Sequence, residues 1–234
     1  MGNYSYYYLS NYYYIILVLP MIIFSMIASA KVNSAFKKYS SVMSARRLTG
    51  AQAAFEILRY YGITNVRIER VSGNLTDHYD PKTNVIRLSD SVYNSTSVAA
   101  IGVACHEAGH AAQYAQSYAP IKIRNAIFPA ASIGSKAGIP LALLGLLFNL
   151  QILALAGVIF FSVAVLFQLA TLPVEFNASG RALKVISEID LLSETEKAGA
   201  KRVLSAAAMT YVAALAVSLA SLLRLILMMG RRKK

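Results

Sequence analysis

Long apolar segments constrain the fold of this chain more than any other feature of its sequence. Of the 234 residues 56% are hydrophobic, so much of the chain must lie away from water. Four stretches are long enough to cross a bilayer. They cover residues 13–30, 126–149, 151–172 and 203–229. Because hydrocarbon cannot satisfy backbone polar groups, such segments cross as helices. The sequence therefore predicts a multi-pass membrane protein that is mainly α-helical.

Charges around the first apolar stretch predict its orientation. No Lys or Arg precedes it, so the basic start of a signal peptide is missing, although Ala28-Ser29-Ala30 imitates a cleavage site. The cations that follow it are Lys31, Lys37, Lys38, Arg46 and Arg47. By the positive-inside rule this stretch is predicted to be an uncleaved anchor with its N-terminus outside and the residues after it in the cytoplasm. The expected location is the plasma membrane, with the active site on its cytoplasmic face. The tyrosine cluster near the start suits the headgroup layer.

The last apolar stretch, which Arg224 interrupts, leaves two topologies open. If it crosses the membrane, the basic tail at residues 231–234 lies outside, against the positive-inside rule. Alternatively, the stretch packs against the rest of the protein without crossing fully. A crossing is the preferred prediction.

The second and third stretches predict a helical hairpin with a tight turn near Asn149-Leu150-Gln151. Because a charge in lipid is costly, Lys136 in the first arm should face protein or water. The two ends of a hairpin lie on the same side. This hairpin therefore predicts that His110 and Glu175 lie at one membrane face.

The H-E-x-x-H motif His106-Glu107-Ala108-Gly109-His110 indicates metal chemistry. Residues 98–116 lack proline and follow Ser95-Thr96-Ser97, which offers N-cap residues, so they predict one helix. Residues four apart share a helix face, which lets both imidazoles bind one Zn²⁺ while Glu107 positions a water. The alternative is a pair of buried histidines satisfied by ordinary hydrogen bonds.

A catalytic zinc site needs a third protein ligand and an open position for water. Glu175 is the favoured candidate among seven glutamates, because a partly desolvated carboxylate after an apolar stretch needs a strong partner. Pro173 suits the first turn of a new helix there. His78 is the remaining histidine, and the single cysteine, Cys105, is more typical of a packed core thiol. The competing interpretation of Glu175 is an ordinary interfacial glutamate.

Three separated segments give the chain a family resemblance. LTDHYDP with NVIRLSDSVY, HEAGH, and LPVEFNAS together resemble the YugP-type membrane zinc metallopeptidases. The resemblance implies that His106, His110 and Glu175 bind zinc and that Glu107 is the catalytic base. That family is similar to the HtpX-like and CAAX-prenyl-type membrane proteases, which share a helix-borne motif and a later glutamate.

The chain departs from the E-x-x-x-D pattern of those proteases, because position 179 is serine. A hydroxyl orients a ligand histidine more weakly than a carboxylate does. Asn177 is therefore a second candidate for that orienting role.

A small zincin-like α+β catalytic unit, with a short β-sheet at the membrane face, is predicted to consist of residues 31–125 and 173–202. A helix is predicted over 49–61, ended by Gly62, and strands over 65–71 and 84–89. The candidate edge strand for pairing with an extended substrate is Val85, Ile86, Arg87 and Leu88. The alternative is a sheet that only supports the motif helix. The predicted divisions are an anchor (1–30), the catalytic unit (31–125), a transmembrane hairpin (126–172), a third-ligand helix (173–202) and a hydrophobic helix with a basic tail (203–234).

These features predict a membrane-bound endopeptidase that uses one Zn²⁺ to hydrolyse peptides or membrane-protein substrates. Candidate donors to the reaction's oxyanion are His78, Tyr79, Arg181 and Tyr211. Two other functions stay open: hydrolysis of a lipid-linked amide, and a non-catalytic metal-binding membrane scaffold.

The formal net charge of +12 suits contact with anionic lipid. Nucleic acid is not an expected partner, because the chain has no basic-aromatic module for reading bases. The sequence leaves the oligomeric state open.

Overall fold

The structure is a computed structural model, and it describes residues 12–230. The described chain is mainly helical, with one small sheet. A π-helical turn, Tyr14–Val18, leads into the first helix. The helices are α1 (Leu19–Ser40), α2 (Gly50–Tyr60), α3 (Asp90–Tyr93), α4 (Val98–Ala115), α5 (Ala119–Leu147), α6 (Gln151–Glu188) and α7 (Glu194–Gly230). The strands are β1 (Arg67–Val71), β2 (His78–Asp80) and β3 (Val85–Ser89).

Four helical segments among the described residues are long and apolar enough to cross a membrane. They are Tyr14–Ser40, Ala119–Leu147, Gln151–Glu188 and Glu194–Gly230. Each overlaps one of the four apolar stretches. The basic tail at 231–234 and most of the tyrosine cluster lie outside the described residues.

The chain divides into two compact units. One, the hairpin unit, comprises Met1–Ala28, Lys122–Leu172 and Thr210–Lys234. The other, the motif unit, comprises Ser29–Ile121 and Pro173–Met209.

In the hairpin unit, α5 and α6 pack closely through small residues. A Cβ added to Gly145 would lie 2.6 Å from Ala154 Cα, and one added to Gly157 would lie 2.6 Å from Ala142 Cα. Such contacts let two helix backbones approach directly. The predicted tight turn is present, with Asn149 at φ 58°. Lys136 is exposed on α5, so residues of this unit do not shield it.

The prediction that a new helix starts at Pro173 is wrong. α6 runs without a break from Gln151 to Glu188, with Pro173 inside it. Proline removes one backbone donor and crowds the preceding turn. In the turn before Pro173, Thr171 Oγ1 donates to the Phe167 carbonyl at 2.8 Å.

The sheet of the motif unit has the strand order β1-β3-β2. β3 pairs in parallel with β1 and antiparallel with β2. The prediction that Val85, Ile86, Arg87 and Leu88 form an edge strand is therefore wrong. Both sides of β3 are already hydrogen-bonded, so it cannot pair with a substrate strand. β2 itself was not predicted, because its three residues are too few for a periodic pattern.

Two helix caps fix the framework around α4. Thr49 closes a capping box with Gln52 at the start of α2, and Gly62 follows that helix at φ 67°. Ser97 caps α4 by accepting from the Ala100 N–H.

The core of the unit joins α2, the sheet, α4 and the end of α6. Its largest fully buried members are Ile57, Leu58, Ile86, Leu88, Ile101, Ile186, Leu191 and Leu192. Burying each such side chain contributes about 2 kcal/mol.

Candidate metal centre

The H-E-x-x-H motif lies within the C-terminal half of α4, one of the most buried helices of the motif unit. His106 and His110 are one turn apart, and their ring centroids lie 4.7 Å from each other. The rings are nearly perpendicular, at 83°. This geometry follows from i, i+4 spacing on one helix face.

Gly109 allows α6 to approach the motif. A Cβ at this position would lie 2.5 Å from the Ala178 carbonyl oxygen, so only glycine permits the observed contact. Glu175 is one turn before Ala178 on α6. The close backbone contact therefore brings the Glu175 carboxylate to the two histidines.

His106, His110 and Glu175 converge on one point. Glu175 Oε2 lies 3.4 Å from His106 Nε2 and 3.6 Å from His110 Nε2. One ligand atom from each of the three residues lies within 4.8 Å of the others. The Glu175 side chain is 6% exposed, so these donors face one another in a largely water-excluded place.

The donor set fits a zinc ion. Tetrahedral zinc with bonds of about 2.1 Å separates its ligand atoms by about 3.4 Å, close to the two observed distances. The local electrostatics also favour a cation. Burial lowers the pKa of His110, but the hydrogen bond to Glu175 and the charges of Glu107 and Glu175 outweigh burial, and the net pKa is raised. Two imidazoles and one carboxylate also leave room for a fourth, exchangeable ligand.

Hydrogen bonds on the far side of His110 fix its ring. Gln113 is fully buried, and its Nε2 donates to the Val174 carbonyl at 2.8 Å and to Asn177 Oδ1 at 3.0 Å. Both partners are acceptors, so Gln113 Oε1 must be the atom that faces His110 Nδ1, at 3.0 Å. His110 then carries its proton on Nδ1. Nε2 is then the ring atom that faces Glu175 and that would bind a metal ion.

His106 is held in a similar way, because Ser179 Oγ lies 3.0 Å from its Nδ1. Ser179 thus takes the place of the aspartate in the E-x-x-x-D pattern. Asn177, the other candidate for orienting a ligand histidine, contacts Gln113 and Arg181 instead. The sequence reasoning missed Gln113. Its position three residues after His110, on the same helix face, was the available signal.

Glu107 and Cys105 flank His106 on α4 and differ in what they can do. Glu107 is 8% exposed and lies between the two histidines in the sequence of α4. Its negative charge is one cause of the raised pKa of His110. Cys105 is fully buried, and burial raises the pKa of its thiol far above the usual range. A neutral thiol is a poor metal ligand.

The four residues predicted as oxyanion donors lie in different parts of the molecule. His78 is exposed on β2, where its Nδ1 lies 2.8 Å from the Thr76 carbonyl. The Tyr79 hydroxyl donates to Asn84 Oδ1 at 2.9 Å. Tyr211 belongs to the hairpin unit. Arg181 is joined to the centre indirectly, since its Nε donates to Asn177 Oδ1 at 2.7 Å.

Comparisons with known proteins agree with this donor set. Residues 14–230 match the model of a family described as "Putative neutral zinc metallopeptidase". The chain belongs to this family. It is also 47% identical over 216 residues to the "Putative membrane protease YugP" of Bacillus subtilis (strain 168), covering 92% of this chain and 95% of that protein. No solved structure matches the chain.

Membership covers nearly the whole described chain, so the match includes both the apolar helices and the motif. In this member of the family, helices that are apolar enough to cross a membrane therefore occur together with a His-His-Glu donor set.

Proposed function

We propose that this protein is a membrane-bound, zinc-dependent endopeptidase that binds one zinc ion and hydrolyses peptide bonds. The observation that carries the proposal is the convergence of His106, His110 and Glu175, with both histidine Nδ1 atoms occupied by other partners. Three protein ligands with an open fourth position are typical of catalytic zinc, whereas structural zinc usually has four. A non-catalytic scaffold fits this donor set less well.

Each side chain has a defined task in the proposed reaction. His106 Nε2, His110 Nε2 and Glu175 Oε2 would hold the zinc, which supplies Lewis acidity toward a water and the scissile carbonyl. The Glu107 carboxylate accepts a proton from the attacking water as the new C–O bond forms. It then delivers that proton to the amine nitrogen as the C–N bond breaks. Ser179 and Gln113 keep the two imidazole rings in place throughout.

The proposal is tested on detergent-purified, zinc-loaded protein with an internally quenched peptide library. Glu107→Gln should lower kcat/KM by about 1000-fold, because it removes the proton acceptor, while zinc content stays at one per chain. Glu194→Gln, which changes an exposed glutamate of α7, is the matched control and should cleave like the wild type. Cleavage by Glu107→Gln at the wild-type rate would refute the mechanism. Cleavage of a lipid-linked amide, with no peptide cleaved, would favour the alternative substrate class.

We also propose that the metal centre faces the cytoplasm from the plasma membrane. Support comes from the cations that follow the first apolar helix, such as Lys37 and Lys38 at the end of α1. The test is maleimide labelling of Lys38→Cys in a Cys105→Ala background. A membrane-impermeant maleimide should react only after cells are permeabilised. Labelling in intact cells would place this end of α1 outside.

A further inference from the structure

The orientation of the Gln113 side chain decides which of its atoms meets His110. An amide has an oxygen that accepts and an NH2 group that donates, and a rotation of the group by 180° exchanges them. With the oxygen toward the ring, His110 Nδ1 carries the proton and Nε2 is available to a metal ion. With the NH2 group there, Nδ1 would accept and the proton would belong on Nε2, where it blocks metal binding. Metal binding therefore depends on what holds this amide in one orientation.

Two acceptors on α6 hold the Gln113 amide. Its Nε2 donates to the Val174 carbonyl at 2.8 Å and to Asn177 Oδ1 at 3.0 Å. Because Gln113 is fully buried, an NH2 group that lost either acceptor would keep an unpaired N–H group, which is costly. The Val174 carbonyl belongs to the backbone and is always an acceptor. Asn177 is itself an amide, and it accepts only when its own side chain has the correct orientation.

Arg181 determines the orientation of Asn177. Arg181 Nε donates to the same Asn177 Oδ1 atom, at 2.7 Å. A guanidinium has no acceptor, so the Asn177 atom that faces it must be the oxygen. Residues 177 and 181 are one helical turn apart, which places both side chains on the same part of α6. The oxygen that Arg181 selects is therefore the atom presented to Gln113.

Arg181 is held by contacts with two further elements of the motif unit. Its Nη1 donates to Gln116 Oε1, at the C-terminal cap of α4. The guanidinium also lies 5.9 Å from the Tyr61 ring centroid and 5.8 Å from that of Tyr118. Such contacts restrict a long side chain that is otherwise free to change rotamer. They keep Nε directed at Asn177.

We propose that Arg181 and Asn177 are positioning residues of the metal centre, and that they act through Gln113 on His110. Arg181 keeps the Asn177 oxygen toward Gln113, and Asn177 keeps the Gln113 oxygen toward His110 Nδ1. His110 Nε2 is thereby left for zinc. Both residues act from the Nδ1 side of the ring, away from the donor atoms. This inference rests on the zinc site of the proposed function.

Two substitutions of Asn177 separate its acceptor from its volume. Asn177→Leu has a similar size but accepts no hydrogen bond, so zinc affinity should fall by about tenfold. Asn177→Asp keeps an acceptor for both Gln113 and Arg181 and should bind zinc at least as tightly as the wild type. Asn65→Leu, the same change at an exposed position of the motif unit, is the matched control. Competition with a fluorescent zinc chelator gives the affinities, and the unfolding temperature shows that each variant is folded. Wild-type affinity in Asn177→Leu, or an equal loss in Asn177→Asp, would overturn the proposal.

Arg181→Met is measured in two backgrounds. By charge alone, removal of a cation would strengthen zinc binding, so a loss of affinity has the sign expected for lost positioning. In the wild-type background we expect a loss of about fivefold, the usual contribution of one hydrogen bond. In the Asn177→Asp background both side-chain oxygens accept, no wrong orientation exists, and the same change should cause no loss. Lys201→Met, which removes an exposed cation from α7, is the control. No loss in the first background, or equal losses in both, contradicts a role through Asn177.

Exchange of the His110 Nδ1 proton with water reports the same contact with and without zinc. The chain has three histidines, so imidazole nitrogen-15 spectra of labelled protein contain only three rings. The hydrogen bond to Gln113 should slow this exchange, and Asn177→Leu should accelerate it by about tenfold while His78 is unchanged. Faster exchange in that variant supports the positioning role even if the wild type cleaves no peptide. Peptide cleavage by the wild type, with equal exchange and zinc affinity in Asn177→Leu, leaves the peptidase function intact and refutes the positioning role.

Discussion

In the motif unit Ile57, Ile86 and Ile101 are fully buried, whereas in the hairpin unit Leu147 and Ile152 are 71% and 87% exposed. The first arrangement is that of a water-facing protein, in which burial of apolar area drives folding. In the second, large apolar side chains face outward and glycines occupy the helix contact, as expected where lipid is the solvent. Substitutions in the two units should therefore change different properties: metal binding in one and helix association in the other.

Loss of a metal ligand should have the largest effect on the motif unit. His106→Ala, His110→Ala and Glu175→Ala each remove one donor of three, so zinc affinity should fall by about 1000-fold. The matched control is His78→Ala, which removes the exposed histidine of β2 and should keep the wild-type affinity. Competition with a fluorescent zinc chelator measures these values. A ligand variant that binds zinc like the wild type would remove that residue from the site.

Gly109→Ala should disturb the same centre without changing a ligand. The added Cβ would lie 2.5 Å from the Ala178 carbonyl, so α6 must shift and carry Glu175 with it. We expect a loss of about 2 kcal/mol in unfolding free energy and a weaker zinc affinity. Gly102→Ala on the same helix is the control, because its Cβ would make an ordinary 3.4 Å contact with Ala200. Equal zinc affinity in the two variants would contradict the role given to Gly109.

Gly157→Ala should act on the hairpin unit alone. Its Cβ would overlap the backbone of Ala142 and separate α5 from α6. Unfolding in mixed micelles should show a loss of about 2 kcal/mol, with zinc affinity unchanged in the folded fraction. Gly230→Ala, where the Cβ meets open space, should leave both quantities unchanged. A selective loss of zinc affinity in Gly157→Ala would contradict the expectation that substitutions in the hairpin unit leave metal binding unchanged.

Ser179→Ala should give the smallest of these effects. It removes the hydroxyl beside His106 Nδ1, and loss of such a partner lowers zinc affinity by about tenfold. Ser179→Asp supplies a stronger acceptor at the same place and should raise the affinity above that of the wild type. Ser187→Ala, at an exposed position of α6, is the control. Chelator competition again provides the readout, and an unaffected Ser179→Ala would show that the hydroxyl does not orient the ring.

Local signals in the sequence correctly predicted the motif helix α4, the turn between α5 and α6, and the proximity of Glu175 to the motif. The cap at Ser97 and the absence of proline predicted α4 almost to its last residue, Ala115. The turn at Asn149 follows from the boundary between two apolar stretches. The pairing of Glu175 with the motif was favoured by its position after the third stretch, and the structure brings the three side chains together.

Features that depend on contacts distant in sequence were not predictable. The central position of β3 depends on pairing with β1 and with a strand of only three residues. The continuity of α6 through Pro173 depends on packing around the helix, which overrides a local preference. Gln113 acquires its role only because Val174 and Asn177, on another helix, accept its two N–H groups.

Zinc-edge X-ray absorption of the purified wild-type protein tests the central claim most directly, since it reports the ligand atoms of the bound ion. A site made of His106, His110, Glu175 and water predicts four nitrogen or oxygen neighbours at about 2.0–2.1 Å, with outer-shell scattering from two imidazole rings. A sulfur neighbour at about 2.3 Å would place Cys105 on the metal and contradict the site. A spectrum without imidazole scattering would contradict it equally.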